Sequence, residues 1–430
     1  MQKKILIIGG GYVGLYTAIK LINNEQIKKI DILDIDKKKI DKWKNLKNPI
    51  SDLYLEDFLQ KNKSFFKKIN YLNKANFENY HFFILTLPTN PEKRKIINWQ
   101  SSKNNILSTN KIFSYCKKIK NIKKNSKIII RSTVNYNDYL KIDDLNISYW
   151  PEFLSQGQKI DKNINGHKII FAKAKNFTKK DILNLIPEQK YKNIIFVKTN
   201  EAIMIKIFHN SFDAFSITIS NLLANISQKN NIKFSNLIPI LNDLLKIKPR
   251  VKTPGLGYGG SCYPKDSRSL LNILNSKKDL KLINQLDKYN LNQQKSYKNY
   301  LNLIKKNDKI LILGISFKGQ TNDITETPIK SLVNYLIRKK YNFKIWEPNL
   351  DKLNLKMINK NINEQNIIKN IEKDLKECNI IFIGSDWDIF NKFIKEKKIK
   401  DKKIIDLKGY LSISKENIHY RIGDTFNINY

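Results

Sequence analysis

Two stretches of the chain carry residue types suited to chemistry. In TPGLGYGGSCYPKD (253–266), Cys262 follows Gly257, Gly259 and Gly260 and precedes Lys265 and Asp266. Glycines let a backbone come close to a ligand, a nearby lysine favours thiolate, and a carboxylate four residues on is placed for proton transfer. The combination suits a thiol that attacks carbon and forms a covalent intermediate. Cys116 and Cys378 lack such neighbours and read as small buried hydrophobes. Three widely spaced cysteines, with no C-x-x-C pair and no Cys/His cluster, give no basis for a disulfide framework or a metal site.

The second stretch is G-x-G-x-x-G at Gly9, Gly11 and Gly14, after the apolar run KILIIG (4–9) and before a helical pattern with Val13, Ala18, Leu21 and Ile22 on one side. Asp34 ends the next apolar run, KIDILDID (29–36), 20 residues after Gly14. Glycine permits the tight turn and close backbone approach, a helix N-terminus meets a pyrophosphate, and the carboxylate accepts from ribose hydroxyls. Glycines alone would make only a turn; strand, helix and acid at this interval point to a dinucleotide. Asp34 repels a 2′-phosphate and favours NAD over NADP, while Lys37 to Lys39 pull the other way.

The elements that position these residues follow from the hydrophobic pattern. FFILTLP (82–88), KIIIRSTV (127–134), ISYWPEF (147–153) and HKIIFA (167–172) read as further strands, and their alternation with helical stretches predicts a parallel, doubly wound sheet. From Asn200 to about Gln228, Ile203, Ile207, Phe208, Phe212, Phe215, Ile219, Leu222 and Leu223 keep helical spacing, which predicts one long helix with a broad buried face. Lys206 and Asn210 lie four apart on that helix, hence on one face, where cation and amide can meet an oxyanion; the plain alternative is a lysine on a solvated face. Helical pattern continues over 235–247 and 266–304, interrupted by the glycine-rich loop 253–264. Strand signals return in KILILGISF (309–317), FKIWEP (343–348), NIIFIG (379–384) and KIIDLKG (403–409). The expected fold is α/β, with two Rossmann-like doubly wound domains joined by a central helical domain with a long helix. Its boundaries are 1–198, 199–304 and 305–430, with no repeat at solenoid periods.

Taken in order, GYVGL, STV (132–134), PEFL (151–154), EAIMIKIFHN (201–210), GYGGSCYPKD (257–266) and LGISFKGQTNDITETP (313–328) resemble the UDP-glucose/GDP-mannose dehydrogenase family over nearly the whole chain. The resemblance implies an N-terminal NAD domain, a central dimerisation domain and a C-terminal domain for the nucleotide sugar. It also implies oxidation of C6 of the sugar to a carboxylate with two NAD and one water, through a thiohemiacetal and a thioester on Cys262. By the same resemblance Asp266 transfers protons, Glu152 orients water, and Thr133 lies beside the reacting carbon. Lys206 and Asn210 join them as catalytic and substrate-binding residues. Tyr12, Val13, Lys39, Thr89, Thr133 and Lys265 join Gly9, Gly11, Gly14 and Asp34 in the cofactor site. Phe153, Leu154, Tyr258, Gly259, Phe317 and Lys318 join Glu152 around the nucleotide sugar. Arg250 resembles the arginine that reaches the neighbouring subunit's site, at a shorter spacing to Cys262 than is usual. Two positions depart from the family pattern: Gln156 stands where many members have a second glutamate, and Thr325 where an arginine that contacts NAD is common.

UDP-glucose is the expected substrate. GDP-mannose dehydrogenases share the G-G-S-C-x-P-K-D core and stay open as an alternative, as does another UDP-sugar; relatives acting on N-acetylated UDP sugars often show G-G-H-C without the following K-D. A rival of another class is a non-catalytic, basic NAD-sensing or nucleic-acid-binding protein on the same fold.

Composition bears on that rival. The 430 residues hold 79 Lys and Arg against 39 Asp and Glu, a formal charge of +40. Lysine, isoleucine and asparagine recur from end to end, whereas a nucleic-acid binder concentrates its charge on a patch or arm. The surplus reads as a solvated lysine excess that steers anionic substrates, and neither nucleic acid nor membrane is expected as a partner. The N-terminal MQKKILIIGGGYVGLYTAIKLI has glycines where a signal peptide keeps a continuous apolar core, and residues 203–226 are interrupted by Lys206, His209 and Asp213. A cytoplasmic enzyme is expected, and the apolar face of the long helix predicts a homodimer or higher homo-oligomer.

Overall fold

A computed structural model describes residues 4–22, 24, 27, 29–50, 52–89, 108–160, 168–186, 193–245, 252–274, 276–348, 355, 358–368, 371–396, 402–411 and 418–424. The chain divides into two compact units: Met1–His209 with Arg268–Leu274, and Asn210–Ser267 with Asn275–Tyr430.

The first unit is built on a six-stranded parallel sheet in the order β3-β2-β1-β4-β5-β6. Its strands are β1 (Ile5–Ile8), β2 (Ile30–Leu33), β3 (Ile69–Leu72), β4 (Phe82–Leu85), β5 (Lys127–Ile130) and β6 (Ser148–Tyr149). β1 pairs in register with β2 (Ile5 to Ile30) and with β4 (Ile5 to Phe82). Every residue of β1 and β4 is buried, because helices cover both faces of such a sheet; that is why these strands read as unbroken apolar runs. A parallel pair, β7 (Ile169–Phe171) and β8 (Ile194–Phe196), completes the unit.

The second unit carries a five-stranded parallel sheet, β10-β9-β11-β12-β13. Its strands are β9 (Ile310–Leu313), β10 (Phe343–Trp346), β11 (Ile380–Ile383), β12 (Lys403–Asp406) and β13 (Ile418–Arg421). Alternate residues serve opposite faces: Ile310 and Ile312 join one core cluster, Leu311 and Leu313 the other. The α/β class, the parallel sheets and the long helix therefore stand as expected. Three strands escape the hydrophobic pattern, β3, β8 and β13: polar residues interrupt INYL and IHYR, while the IIF of β8 repeats the triplet of β7 and is missed.

Two expectations about the helices need correction. The long helix spans Thr199–Lys229, but its apolar residues do not share one buried face. Ile203 and Ile207 are buried, whereas Phe208, Phe212, Ile219, Leu222 and Leu223 are exposed. The buried side continues instead through Ser211, Ala214, Ser220, Asn221 and Ala224, small and polar residues that let loops come close. The helical pattern over 266–304 is broken into Tyr263–Ser269, Lys277–Gln293 and 3-10 turns at Leu270–Asn272 and Ser296–Leu303.

Both sheets repeat one local device. In the first unit, the Gly10 amide in the turn after β1 donates to Asp34, the residue after β2 (2.8 Å). In the second, the Ile315 and Ser316 amides in the turn after β9 donate to Glu347, the residue after β10 (2.5 and 3.1 Å). Glu347 is buried, and burial raises its carboxyl from the ordinary 4.5 to about 7, against the pull of those two amides. The folded chain thus holds a proton there that the unfolded chain has lost, so stability falls as pH rises from about 4.5 to about 7. Glu347→Gln should remove roughly 3 kcal/mol of that dependence. The check is denaturant unfolding of wild type and variant across this range, with the difference between the two curves as the readout.

Candidate active site

The turn after β1 divides its work among the glycines. A Cβ at Gly14 would lie 1.9 Å from the Gly9 carbonyl oxygen, so only glycine lets the helix Tyr12–Ile22 start this close to β1. At Gly11 a Cβ would meet nothing within 4 Å. Here the backbone is bare toward open space, as approach to a pyrophosphate requires. Asp34 accepts from the Gly10 amide, the Asp36 amide (2.9 Å) and Lys39 Nζ (3.1 Å). Burial works to raise its carboxyl, but the Asp36 and Gly10 amides and Lys39 outweigh it and hold it below the usual carboxylate range. Of the other expected cofactor residues, Val13 is half-buried, while Thr89 and Thr133 are buried. The Tyr12 hydroxyl donates to the Ser155 carbonyl (2.9 Å).

That bond leads to PEFL. Glu152 Oε1 accepts from Lys206 Nζ (3.0 Å), and its Oε2 accepts from the Leu154 amide (2.8 Å). Lys206 is only 3% exposed, which removes the reading of a lysine on a solvated helix face. Burial alone would raise the Glu152 carboxyl; Lys206, the Leu154 amide and Arg131 together bring it below its ordinary value. Phe153 lies under this pair, its ring 5.3 Å from Lys206 Nζ and edge-on to His209 at 5.1 Å. The loop is tied down beyond it, where buried Asp52 accepts from the Gly157 amide (2.9 Å). Gln156 is half-buried between those anchors.

In the second unit Cys262 is exposed and stands directly before the helix Tyr263–Ser269, its Sγ 3.8 Å from Ser261 Oγ. Asp266, fully buried, accepts from Asn210 Nδ2 (2.5 Å) and Lys265 Nζ (2.7 Å). The cation expected to favour thiolate is thus matched by a carboxylate of its own. The glycines before the thiol bring the loop against the chain itself. Gly260, at φ +86°, would put a Cβ 2.8 Å from the Phe317 ring, and its amide donates to the Thr325 carbonyl (2.8 Å). A Cβ at Gly259 would fall 2.3 Å from the Glu326 carbonyl oxygen. Tyr258 is buried, and Phe317 and Lys318 are half-buried at the turn after β9. Arg250 lies outside the described residues.

Several positioning residues went unread in the sequence. Asp213 accepts from the Tyr263 hydroxyl (3.0 Å), Ser220 from the Lys252 amide (2.8 Å) and Asn221 from the Gly255 amide (2.8 Å). Asn290 exchanges two hydrogen bonds with the Tyr258 backbone (2.8 and 3.1 Å). Each holds the cysteine segment to a helix by a side chain more than 30 residues away, a distance no local pattern reports.

Comparison with known proteins matches residues 3–195, 200–292 and 311–413 to the NAD binding domain, the central domain and the UDP binding domain of the UDP-glucose/GDP-mannose dehydrogenase family. A UDP-glucose 6-dehydrogenase of Campylobacter jejuni is 30% identical over 93% of this chain and 97% of its own length. The chain belongs to the UDP-glucose/GDP-mannose dehydrogenase family. A GDP-mannose 6-dehydrogenase of Pseudomonas syringae is 27% identical over 95% of this chain and 97% of its own. The structure of a UDP-glucose dehydrogenase from Pyrobaculum islandicum matches with a TM-score of 0.78 at 16% identity, covering 99% of this chain and 98% of that one; this last likeness is one of fold.

In a family whose first domain binds NAD, the two glycine positions separate stability from binding. Gly14→Ala should cost about 1–3 kcal/mol of stability, as overpacking against backbone does. Gly11→Ala should change stability by no more than about 0.5 kcal/mol yet weaken NAD on the order of tenfold. Denaturant unfolding and calorimetric titration with NAD check the pair side by side.

Proposed function

We propose that this chain oxidises C6 of UDP-glucose to the carboxylate, giving UDP-glucuronate, with two NAD and one water, through a thioester on Cys262. The observation that carries the reading is the exposed Cys262 at the head of the helix whose buried Asp266 is held by Asn210. NAD, when bound, takes up a hydride in each of the two oxidations. Gly9, Gly11, Gly14 and Asp34 would hold it, with Tyr12, Val13, Lys39, Thr89, Thr133 and Lys265 around it.

The chain's own residues divide the remaining work. Cys262 adds through sulfur to the carbon of the aldehyde, giving a thiohemiacetal; loss of a hydride and a proton from it leaves the thioester. Lys206 and Asn210 stabilise the charge that gathers on oxygen, since an ammonium and an amide N–H both donate. Asp266 takes and returns protons, with its two oxygens held in place by Asn210 and Lys265. Glu152 orients the water that cleaves the C–S bond and releases the thiol. Phe153, Leu154, Tyr258, Gly259, Arg250, Phe317 and Lys318 bind the nucleotide sugar. A GDP-sugar is the second reading, favoured by the similarity to the Pseudomonas syringae enzyme.

The proposal extends to organisation. Three domains at 1–198, 199–304 and 305–430 accord with the family matches at 3–195, 200–292 and 311–413. Among the described residues no helix is long and apolar enough to cross a membrane. Three free cysteines suit the reducing cytoplasm. The chain works as a homodimer or higher homo-oligomer, because Phe208, Phe212, Ile219, Leu222 and Ile226 leave an exposed apolar stripe along one helix. Such a stripe is self-complementary across a two-fold axis.

Two experiments follow. Cys262→Ser should lose at least about 10³-fold in NADH production from UDP-glucose while still binding UDP-sugar and NAD, and Cys116→Ser and Cys378→Ser should keep turning over. Wild-type formation of the uronate by folded Cys262→Ser protein would overturn the thioester route, and turnover of GDP-mannose but not UDP-glucose would overturn the choice of sugar. Light scattering at micromolar concentration should give at least twice the 50.6 kDa chain mass, and Phe212→Asp should shift it toward one chain. A fully active wild-type monomer would sink the assembly.

A further inference from the structure

The end of β5 holds a charge that none of the assigned roles uses. Arg131 follows Ile130, and its amide donates to the Leu85 carbonyl (2.9 Å), which fixes it in the sheet. Its guanidinium carbon lies 4.0 Å from the centre of the Trp150 ring, and Trp150 is in turn fixed by its amide on the Ile130 carbonyl (2.9 Å). Arg131 is 4% exposed, and its Nε and Nη1 have no hydrogen-bond partner among the described residues. Burying a guanidinium with donors unmet is costly, and stacking on an indole offsets only part of that cost. A compensating anion is required nearby. Glu152 supplies it: the two residues line one cavity, together with Trp150 and Phe153. No hydrogen bond or ion pair joins them among the described residues; the Glu152 oxygens are taken by Lys206 and the Leu154 amide. Arg131 therefore acts on Glu152 through space.

We propose that Arg131 is a positioning residue that acts through Glu152, keeping its carboxylate ionised when Lys206 turns its ammonium toward the substrate oxygen. The proposal rests on the reading of Glu152 as the group that orients water. A lysine that both pairs with Glu152 and donates to a developing oxyanion would, without a second cation, leave a buried carboxylate alone and ready to take a proton. Arg131 is suited to be that second cation because it has no hydrogen-bonded anion of its own to quench its field. Burial pulls its guanidinium down to about 10, against Glu152 and Tyr149, so it stays protonated through neutral pH. The other charged or titratable groups around Glu152 do not replace it. Lys20, from the first helix, is half-buried, and Lys168, before β7, is exposed, so water screens both. Tyr12 is raised far above its ordinary range by burial and stays neutral, and the Tyr16 and Tyr149 phenols carry no positive charge.

The test pairs the pH dependence of kcat with the infrared carbonyl band of a protonated carboxyl, using Glu152→Gln as the blank that identifies the band. In Arg131→Met the acid limb of kcat should move up by about one pH unit or more, with the Glu152 band titrating in step, and Arg131→Lys should restore most of both. An acid limb and a band that stay at their wild-type positions in folded Arg131→Met overturn the proposal. Lys206→Met provides a second route that needs neither turnover nor a change at Arg131: Glu152 should remain ionised at neutral pH there, and a protonated band would overturn the proposal equally. Full turnover by Glu152→Gln would instead sink the water-orienting role, while the infrared titrations would still report whether Arg131 holds the charge.

Discussion

A lysine ammonium that is 3% exposed has lost its water, and the first unit is arranged around the need to replace it. Glu152 is the replacement, so the segment after β6 must run where its carboxylate can reach the long helix. That segment has no regular structure of its own and is held at three points. The Leu154 amide closes back on Glu152, the Ser155 carbonyl takes the Tyr12 hydroxyl, and the Gly157 amide is bound by Asp52. Asp52 also caps the helix Leu53–Lys61 through the Leu55 amide. Tyr12 in turn belongs to the glycine turn after β1. The dinucleotide turn, the loop that carries Glu152 and the start of the long helix are therefore one hydrogen-bonded assembly.

One turn further along the same helix the problem takes a neutral form. Asn210 meets Asp266, whose other oxygen takes Lys265, so a fully buried carboxylate is satisfied by one amide and one cation. Beyond Asn210 the helix carries Ser211, Ser216, Ser220 and Asn221 on its buried side. Such residues are neutral to unfavourable inside helices, because their side chains compete for backbone hydrogen bonds. Here Ser220 accepts the part-buried Lys252 amide, and Asn221 accepts the Gly255 amide, which would otherwise be a buried donor without an acceptor. The helix gives up some intrinsic preference to hold a loop that has no strand or helix to satisfy it. The exposed thiol at the end of that loop thus stands on a rigid support.

Most of the fold was legible because parallel strands covered on both faces become uninterrupted apolar runs, as ILII and FFIL show, and because turn glycines and Asp34 fall at a fixed interval. The thiol, Lys206 and Asn210 were legible for the same local reason, a loop composition and a helical spacing of four. What stayed hidden depends on contacts between distant segments. The i, i+4 rule puts Lys206 and Asn210 on one face but says nothing of Glu152 or Asp266, which lie 54 and 56 residues away. Arg131 reads as the polar end of a strand, and nothing in RSTV reports that Trp150 will lie against it. The apolar spacing of the long helix marks a stripe without saying whether this chain covers it, and most of that stripe is exposed. The edge strands β3 and β13 failed because polar residues interrupt INYL and IHYR, whereas the edge strands β6 and β10 were legible.

The same physics accounts for how a chain with 79 basic and 39 acidic side chains keeps a working site. Three of the candidate lysines each have an anion: Lys39 with Asp34, Lys206 with Glu152, Lys265 with Asp266. At the two buried pairs, Lys206 with Glu152 and Lys265 with Asp266, an added or lost charge shifts its neighbours strongly, because little water is there to screen it. On the surface, ion pairs such as Lys61 with Asp57 are well exposed and contribute little, so a lysine gained there changes stability only slightly. Isoleucine can spread through the strands for the matching reason that an apolar residue of similar volume suits a sheet covered on both faces. The lysine surplus is therefore free to accumulate at the surface, where it raises the positive potential that draws in an anionic nucleotide, while the buried pairs keep the local charge balance that the chemistry needs.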